Sequence, residues 1–312
     1  MVRVLIANTD RDWFDTLASQ PGIDEVNFWQ PSGTYDFRAL QPGELFAFRL
    51  KAPINQIGGF GIFQHASRLP LSRAWEVFGI KNGVRSLEEM RSRVGRYRPA
   101  GERVDLDWPI GCRILVQPIF LPQIHWIPMP ASWSANIVSF KAYEAADGEG
   151  RALWDRLVGS IDSSMDAAGV YETALPAPAA RFGEPSLIRP RLGQGAFRVS
   201  VLDAYDRACA VSGGRVLPAL EAAHIRPFAD GGEHAVANGL LLRRDIHTVF
   251  DAGYVTVDPD LKFVVSDRLR TEFHNGEEYR RLHGMRLRLP ASPLLRPSRE
   301  ALIWHNENCF RG

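Results

Sequence analysis

The chain has 312 residues, 45% of them hydrophobic, and its 37 Lys and Arg nearly cancel its 36 Asp and Glu. That length favours two domains, and that apolar share supports packed cores, which excludes a disordered chain. A formal net charge of +1 excludes the broad basic footprint of a generic nucleic-acid binder, so any nucleic-acid contact has to come from local patches.

Residues 2–7 (VRVLIA) read as a strand, and Asp10 to Leu17 as a short helix with Trp13, Phe14 and Leu17 inward. Val26 to Trp29 is a second strand, closed by Pro31-Ser32-Gly33. Leu45 to Leu50 alternates behind the turn Gln41-Pro42-Gly43-Glu44. Ile57 to Phe63 is a strand carrying Gly58, Gly59 and Gly61, a sign of a bend or a close backbone approach. Ser72 to Phe78 reads as a helix, and Ser86-Leu87-Glu88-Glu89 is a capping box that opens another. The second helix repeats Leu87, Met90, Val94 and Tyr97 on one face. Arg91, Arg93, Arg96 and Arg98 crowd the rest, either as a DNA-backbone contact or as a plain solvated surface. Ile110 to Val116 alternates as a strand. Ala142 to about Gly169 reads as a helix with Leu153, Trp154, Leu157 and Ile161 on one face.

Short strands around glycine-rich bends, interrupted by two helices, predict a small, partly open β-barrel. The segments NFWQPSG, LQPGELFAFRLKAPINQIGGFGIF and SRAWEVFGIKNGV are similar to EVE and related PUA-superfamily domains, over about residues 1–140. That resemblance implies nucleic-acid binding, with a flipped modified base held in an aromatic pocket. Trp29 is the expected stacking face, beside the loop that follows it. Trp13 is the expected second wall, and Asn27, Ser32 and Asn55 the expected edge contacts. The same two tryptophans fit equally well as barrel core.

Thr173 to Pro190, with Pro176, Pro178, Pro185 and Pro190, reads as a linker. The expected domains are therefore 1–170, a linker at 171–190, and 191–312. Arg191, in a Gly- and Arg-rich lead into a helix from Phe197 to Cys209, is a further candidate for the DNA backbone or simply the end of the linker.

The stretch Glu221 to Asp251, EAAHIRPFADGGEHAVANGLLLRRDIHTVFD, concentrates the chemistry. A strand ends near His224, and Pro227 and Asp230-Gly231-Gly232 turn the chain. Leu240 and Leu242 share one side of a second strand. From Arg244 the period changes to that of a helix stopped by Gly253. His247 and Asp251 are i and i+4, stacked on one helix face, a pair that suits a divalent cation. Taken singly, His224 fits a core histidine, His247 a surface residue and Asp251 a helix-end carboxylate. Together with Asn238 at this spacing, they argue for a site.

The same stretch resembles the HNH (ββα-metal) nuclease motif, as E-A-A-H-I…N-G-L-L-L…H-x-x-F-D. The resemblance implies a metal-dependent phosphodiesterase using Mg²⁺ or Mn²⁺. His224 would take a proton from water, Asn238 would hold the loop that aims it, and His247 and Asp251 would ligate the metal. Many HNH nucleases carry Asp or His immediately before the catalytic histidine; here that residue is Ala223. Glu221 lies on the same side by strand alternation and is the expected third ligand. Cys209 is followed by Ser212, so the paired Cys-x-x-Cys zinc knuckles of related nucleases are not available, and hydrophobic packing has to brace the fold. Tyr254 to Val257 and Lys262 to Val265 read as a hairpin. His65, His125, His234, His274, His283 and His305 read as structural or exposed.

The whole is an α+β chain, a PUA/EVE-like partly open barrel followed by a ββα-metal (HNH) domain. It resembles modification-dependent restriction endonucleases of the EVE–HNH type. The expected partner is double-stranded DNA carrying 5-methyl- or 5-hydroxymethylcytosine, cut by a homodimer because one site cuts one strand. The rivals are a DNA-binding module with a decayed site, and a nuclease whose first domain reads RNA or unmodified DNA. Three cysteines, Cys112, Cys209 and Cys309, give no disulfide framework. Met1 leads straight into a strand-like segment, and no apolar run reaches membrane length, so a soluble cytoplasmic protein is expected.

Overall fold

Period-2 apolar patterning and β-branched residues make the first part of the chain a sheet. In the computed structural model its strands are β1 (Arg3–Thr9), β2 (Glu25–Gln30), β3 (Leu45–Leu50), β4 (Gln56–Pro70), β5 (Pro109–Phe120), β6 (Ile127–Pro128) and β7 (Phe140–Glu144). The structure describes residues 2–31, 37–97, 107–146, 148–168, 185–188, 193–273 and 276–312, without side chains at 161–168. Outside it fall Ser32, Arg98, Arg191, His274, the Ile161 side chain, and most of the expected linker. The chain divides into two units, Met1–Ala196 and Phe197–Gly312.

The sheet of the first unit runs β2-β5-β4-β3-β1-β7, with β6 against β4. β1 and β3 are parallel; the other pairs are antiparallel. Phe28 on β2 and Phe46 on β3 are three strand positions apart, roughly 14 Å in a flat sheet. Their ring centroids are 4.8 Å apart. The sheet therefore coils strongly around its apolar face, yet the edge strands β2 and β7 do not pair, and it stays open. Register shifts in β4 between Phe60 and Ile62, and between Phe63 and His65, supply the bends.

Helix α1 (Arg11–Ala18) drops Trp13, Phe14 and Leu17 into that concavity. Helices α2 (Leu71–Phe78) and α3 (Leu87–Gly95) follow; Ser86 Oγ caps α3 by accepting from Glu89 N at 3.1 Å. α3 buries Met90 and Val94, while Tyr97 lies beyond its end and is exposed. The helix expected from Ala142 begins only at Gly148, as α4 (Gly148–Ala168). Residues 140–144 instead complete the free edge of β1 as an antiparallel strand, burying Tyr143.

The second unit is assembled around helix α5 (Gln194–Ala204), whose start belongs to the first unit. Strands β8 (Leu220–His224) and β9 (Gly239–Arg243) form an antiparallel hairpin with His224 opposite Gly239. Helix α6 (Arg244–Asp251) follows directly. Ile246 and Phe250 are the buried face of α6. Gly239 has a specific packing reason: a Cβ there would stand 2.6 Å from Val201 and 3.0 Å from Phe197. After α6 come the hairpin β10 (Val255–Val257) and β11 (Phe263–Val265), α7 (Arg268–Phe273), α8 (Glu277–Arg280) and α9 (Arg299–Asn308). Where a zinc knuckle would sit, Cys209 closes a tight turn instead. Its Sγ accepts from Ser212 N at 3.4 Å and its O from Gly213 N at 3.0 Å, with no second cysteine.

Candidate active site

The antiparallel hairpin brings the end of β8 beside the start of β9, and α6 supplies a third side. His224, the last residue of β8, is half-buried and lies flat on Phe197 of α5, ring centroids 3.9 Å apart and planes 12° off parallel. Its Nε2 is 2.9 Å from Nδ1 of His234. Burial, then the neighbouring His234 and His247, push the His224 pKa down to about 4. The ring is therefore neutral at physiological pH, the state a proton acceptor needs.

Asn238 is buried at the end of the connecting loop and spends its whole amide on backbone. Oδ1 accepts from Arg226 N, and Nδ2 donates to Arg226 O and Glu233 O, each at 2.9 Å. Its own carbonyl accepts from Ile225 N at 2.9 Å. One side chain thus clamps both arms of the loop that leaves His224. Gly232 lets the loop close around it, since a Cβ would meet Arg226 O at 1.9 Å and Asn238 Nδ2 at 2.9 Å.

His247 on α6 stands between two carboxylates. Nδ1 is 2.9 Å from Glu221 Oε2, and Nε2 is 3.2 Å from Asp251 Oδ2, one turn along the helix. Burial works against the His247 charge, but Asp251 and Glu221 outweigh it and raise its pKa. Burial likewise pushes Glu221 up, but His247, Arg244 and Arg198 pull harder and hold its carboxyl below the ordinary range. Arg244 Nε sits 2.9 Å from the other Glu221 oxygen.

The three expected metal ligands therefore do not converge. Glu221 and Asp251 occupy opposite nitrogens of the same ring, and among the described residues no group of three or more His, Cys, Asp or Glu is arranged to hold an ion. What remains is a two-donor set, His247 Nε2 and the exposed Asp251. Their 3.2 Å separation matches adjacent corners of an octahedron with ligands at about 2.1 Å, roughly 3.0 Å apart. Mg²⁺-type ions keep several waters and bind through one or two protein oxygens plus phosphate, so this pair fits such an ion. Glu221 fits the outer role of receiving Nδ1–H and orienting the ring. Ala223, the position before His224, is fully buried.

His234 is the residue that sequence reasoning missed. It reads as structural or exposed in the sequence, but the Gly231-Gly232 turn brings it against His224. The signal is present: a histidine two residues after a two-glycine turn that begins seven residues past His224. Phe197 carried no such signal, because α5 reaches the site only through tertiary packing.

The expected base pocket does not assemble as one set. Trp13 is core, 4% exposed, and meets Phe28 and Phe48 edge-on at 5.3 and 5.2 Å. Asn27 and Trp29 alternate to the other side of β2 from Phe28. Asn27 is fully buried, its Nδ2 donating to Asn82 Oδ1 at 2.9 Å and reaching Cys112 Sγ at 3.3 Å. Trp29 is half-buried and donates Nε1–H to Asn82 O at 2.8 Å. Asn55 is exposed at the β3–β4 connection, where its Oδ1 accepts from Arg49 at 2.5 Å. Strand alternation explains the division: Phe28 meets Trp13 on the coiled face, while Asn27 and Trp29 point to the other, where Asn82 engages both. A residue not anticipated is Arg113, 6% exposed, over Phe37 and Phe140 at 4.5 and 6.0 Å. Its NH2 donates to Gln30 at 2.5 Å while Nε and NH1 are buried without a partner among the described residues, and burial lowers its pKa to about 10. Of the basic cluster, Arg93 is committed to Glu89 and Asp12 at 2.7 and 3.6 Å, whereas Arg96 is exposed and Arg91 half-exposed.

The ββα hairpin thus brings together a neutral histidine at its strand end, a clamping asparagine, and a His–Asp pair on the helix. Residues 209–258 match the family described as HNH endonuclease, so the second unit carries an HNH domain. No curated protein matches the chain significantly. Among solved structures the chain is similar to the ASCH protein from Zymomonas mobilis, at 12% identity and a TM-score of 0.34, covering 50% of this chain and 94% of that one. A mutant form of that protein gives 10% and 0.33, with 51% and 96% covered. The chain is also similar to the modification dependent TagI restriction endonuclease, at 14% and 0.29, covering 98% of this chain and 81% of that one. No described helix is long and apolar enough to cross a membrane.

Proposed function

We propose that the protein is a DNA endonuclease in which His224 is the general base. The observation that carries this reading is a base-competent, neutral His224 held at the strand end of an HNH-matching hairpin, within electrostatic reach of His247 and Asp251. His224 takes a proton from the water that attacks phosphorus, and Asn238 keeps the loop from letting the ring drift. A divalent ion, when bound, supplies Lewis-acid stabilisation of the phosphoryl oxygens and of the leaving 3′ oxygen. His247 Nε2 and Asp251 would hold it, with Glu221 setting the tautomer of His247 through Nδ1.

The first unit is proposed to read modified cytosine in duplex DNA, with the base extruded. Trp29 is retained for the stacking face, since it is the half-buried member of the expected set; Trp13 is withdrawn, because it is core. The cut of both strands is proposed to come from two copies of the chain, each contributing one site.

Matched plasmids carrying cytosine, 5-methylcytosine, 5-hydroxymethylcytosine or its glucosylated form, incubated with Mg²⁺ or Mn²⁺, test both halves. Cleavage of a modified plasmid is expected, with His224→Ala abolishing it and leaving DNA binding nearly unchanged, because the base acts in the transition state. Ala223, at the position where many HNH nucleases carry a further ligand, supports a second reading, a DNA-binding module without cleavage. Binding with no cutting of any plasmid would establish that reading instead.

A further inference from the structure

We propose that His234 is a positioning residue that decides which nitrogen of His224 acts as the base; the proposal rests on the nuclease reading above. The two rings meet nitrogen to nitrogen, His224 Nε2 to His234 Nδ1, at 2.9 Å. Such a contact holds one hydrogen, so one ring donates and the other accepts. A neutral His224 has a single N–H. If it sits on Nε2, it is donated to His234, and the ring's one lone pair is on Nδ1, the nitrogen that His234 does not engage. If it sits on Nδ1, the ring presents N–H to water and cannot take a proton. The working state is the one in which His234 accepts, and Nδ1 of His224 is the base.

The surroundings hold this arrangement in place. His224 is stacked on Phe197 at 3.9 Å, and His234 is stacked on Phe228 at 4.7 Å with planes 6° apart. The two rings lie 58° apart, so neither can slide over the other without breaking a stack. Asn238 ties Arg226 O and Glu233 O, fixing the backbone two residues past His224 and one before His234. The asparagine of the motif therefore aims the base and its partner with one side chain.

The step balances as follows. Water forms its bond to phosphorus and gives its proton to His224 Nδ1, while the bond from phosphorus to the 3′ oxygen breaks. The 3′ oxygen takes a proton from solvent. His224 becomes an imidazolium whose Nε2–H remains donated to the Nδ1 lone pair of a neutral His234, so the ring keeps its orientation through the step.

The test uses the full-length chain labelled with ¹⁵N. The parent should show a slowly exchanging His224 Nε2–H and a scalar coupling across the hydrogen bond to His234 Nδ1, both lost in His234→Ala. On whichever plasmid the parent cuts, His234→Ala should lower kcat by about 10- to 100-fold, with KM changed less than about twofold. His234→Asn, which returns an acceptor oxygen near the position of Nδ1, should recover most of that loss. A thermal transition in both variants close to the parent's separates positioning from folding. Cleavage by His234→Ala within about twofold of the parent, or no coupling in the parent, overturns the proposal. If His224→Ala is inactive while His234→Ala is not, only this proposal falls. If His224→Ala cuts normally, the nuclease reading falls and takes this one with it.

Discussion

Replacing Asn238 by Asp changes one atom and tests the clamp directly. The acceptor bond from Arg226 N survives, but both donor bonds, to Arg226 O and Glu233 O, are lost. Two hydrogen bonds at about 1 kcal/mol each set the minimum cost. Two carbonyls facing an ionised oxygen in a buried position add a further ~1–2 kcal/mol, for a total of about 3–4 kcal/mol. That corresponds to a fall on the order of 10 °C in the transition of the second unit. The sign with pH follows from the new carboxyl. Buried against two acceptors, its folded pKa rises above the unfolded value of about 3.9. Its protonated form can donate one bond back, so the deficit is largest at neutral pH and shrinks as pH falls through that raised pKa. Thermal melts of parent and Asn238→Asp from pH 7.5 to 4.5, read by circular dichroism, measure it. A variant within about 0.5 kcal/mol of the parent at pH 7.5 would refute the clamp.

His224 and His305 are both held near pKa 4 against about 6.5 unfolded, largely by burial, and His305 stacks on Phe250 at 3.9 Å. Folded values below unfolded ones give stability that is full above pH 6.5 and is lost as pH falls toward 4, so the parent's melting temperature should drop across that window. His305→Gln should flatten the drop, and identical pH profiles would contradict the assignment. His247→Ala and Asp251→Ala should each weaken Mn²⁺ affinity together with cleavage, and Glu221→Gln should do so less; calorimetry showing unchanged affinity in both main variants removes the two-donor site. Arg113→Met removes a buried cation with two nitrogens that have no partner among the described residues and keeps an unbranched apolar chain between Phe37 and Phe140, so stability should hold or rise by ~1–3 kcal/mol. A clear loss of melting temperature would show that the guanidinium stabilises the coil of the sheet.

The local elements were legible because their signals are local. LFAFRL alternates and is a strand with the expected bounds, Ser86 caps α3, and Gly253 ends α6 with a positive φ of 78°. The hairpin that sets His224 opposite Gly239, and the helix that stacks His247 under Asp251, follow from turn residues and a change of period. What each residue meets across the fold was not written in its neighbourhood. Ala142 to Glu144 has helical neighbours but is drawn into the sheet because β1 has an unpaired edge. Trp13 in α1 and Trp29 near the end of β2 are both tryptophans suited to stacking, yet packing on the coiled face of the sheet buries the first, and the second stays half-open on the other face. Glu221 and Asp251 are both carboxylates within reach of His247, but only the packing of α6 on the hairpin assigns them to opposite ring nitrogens. Residue type and spacing thus determined the chemistry that the chain carries. Which atom faces which was decided by side-chain packing between segments far apart in sequence, as in the placing of His234 and Phe197 around His224.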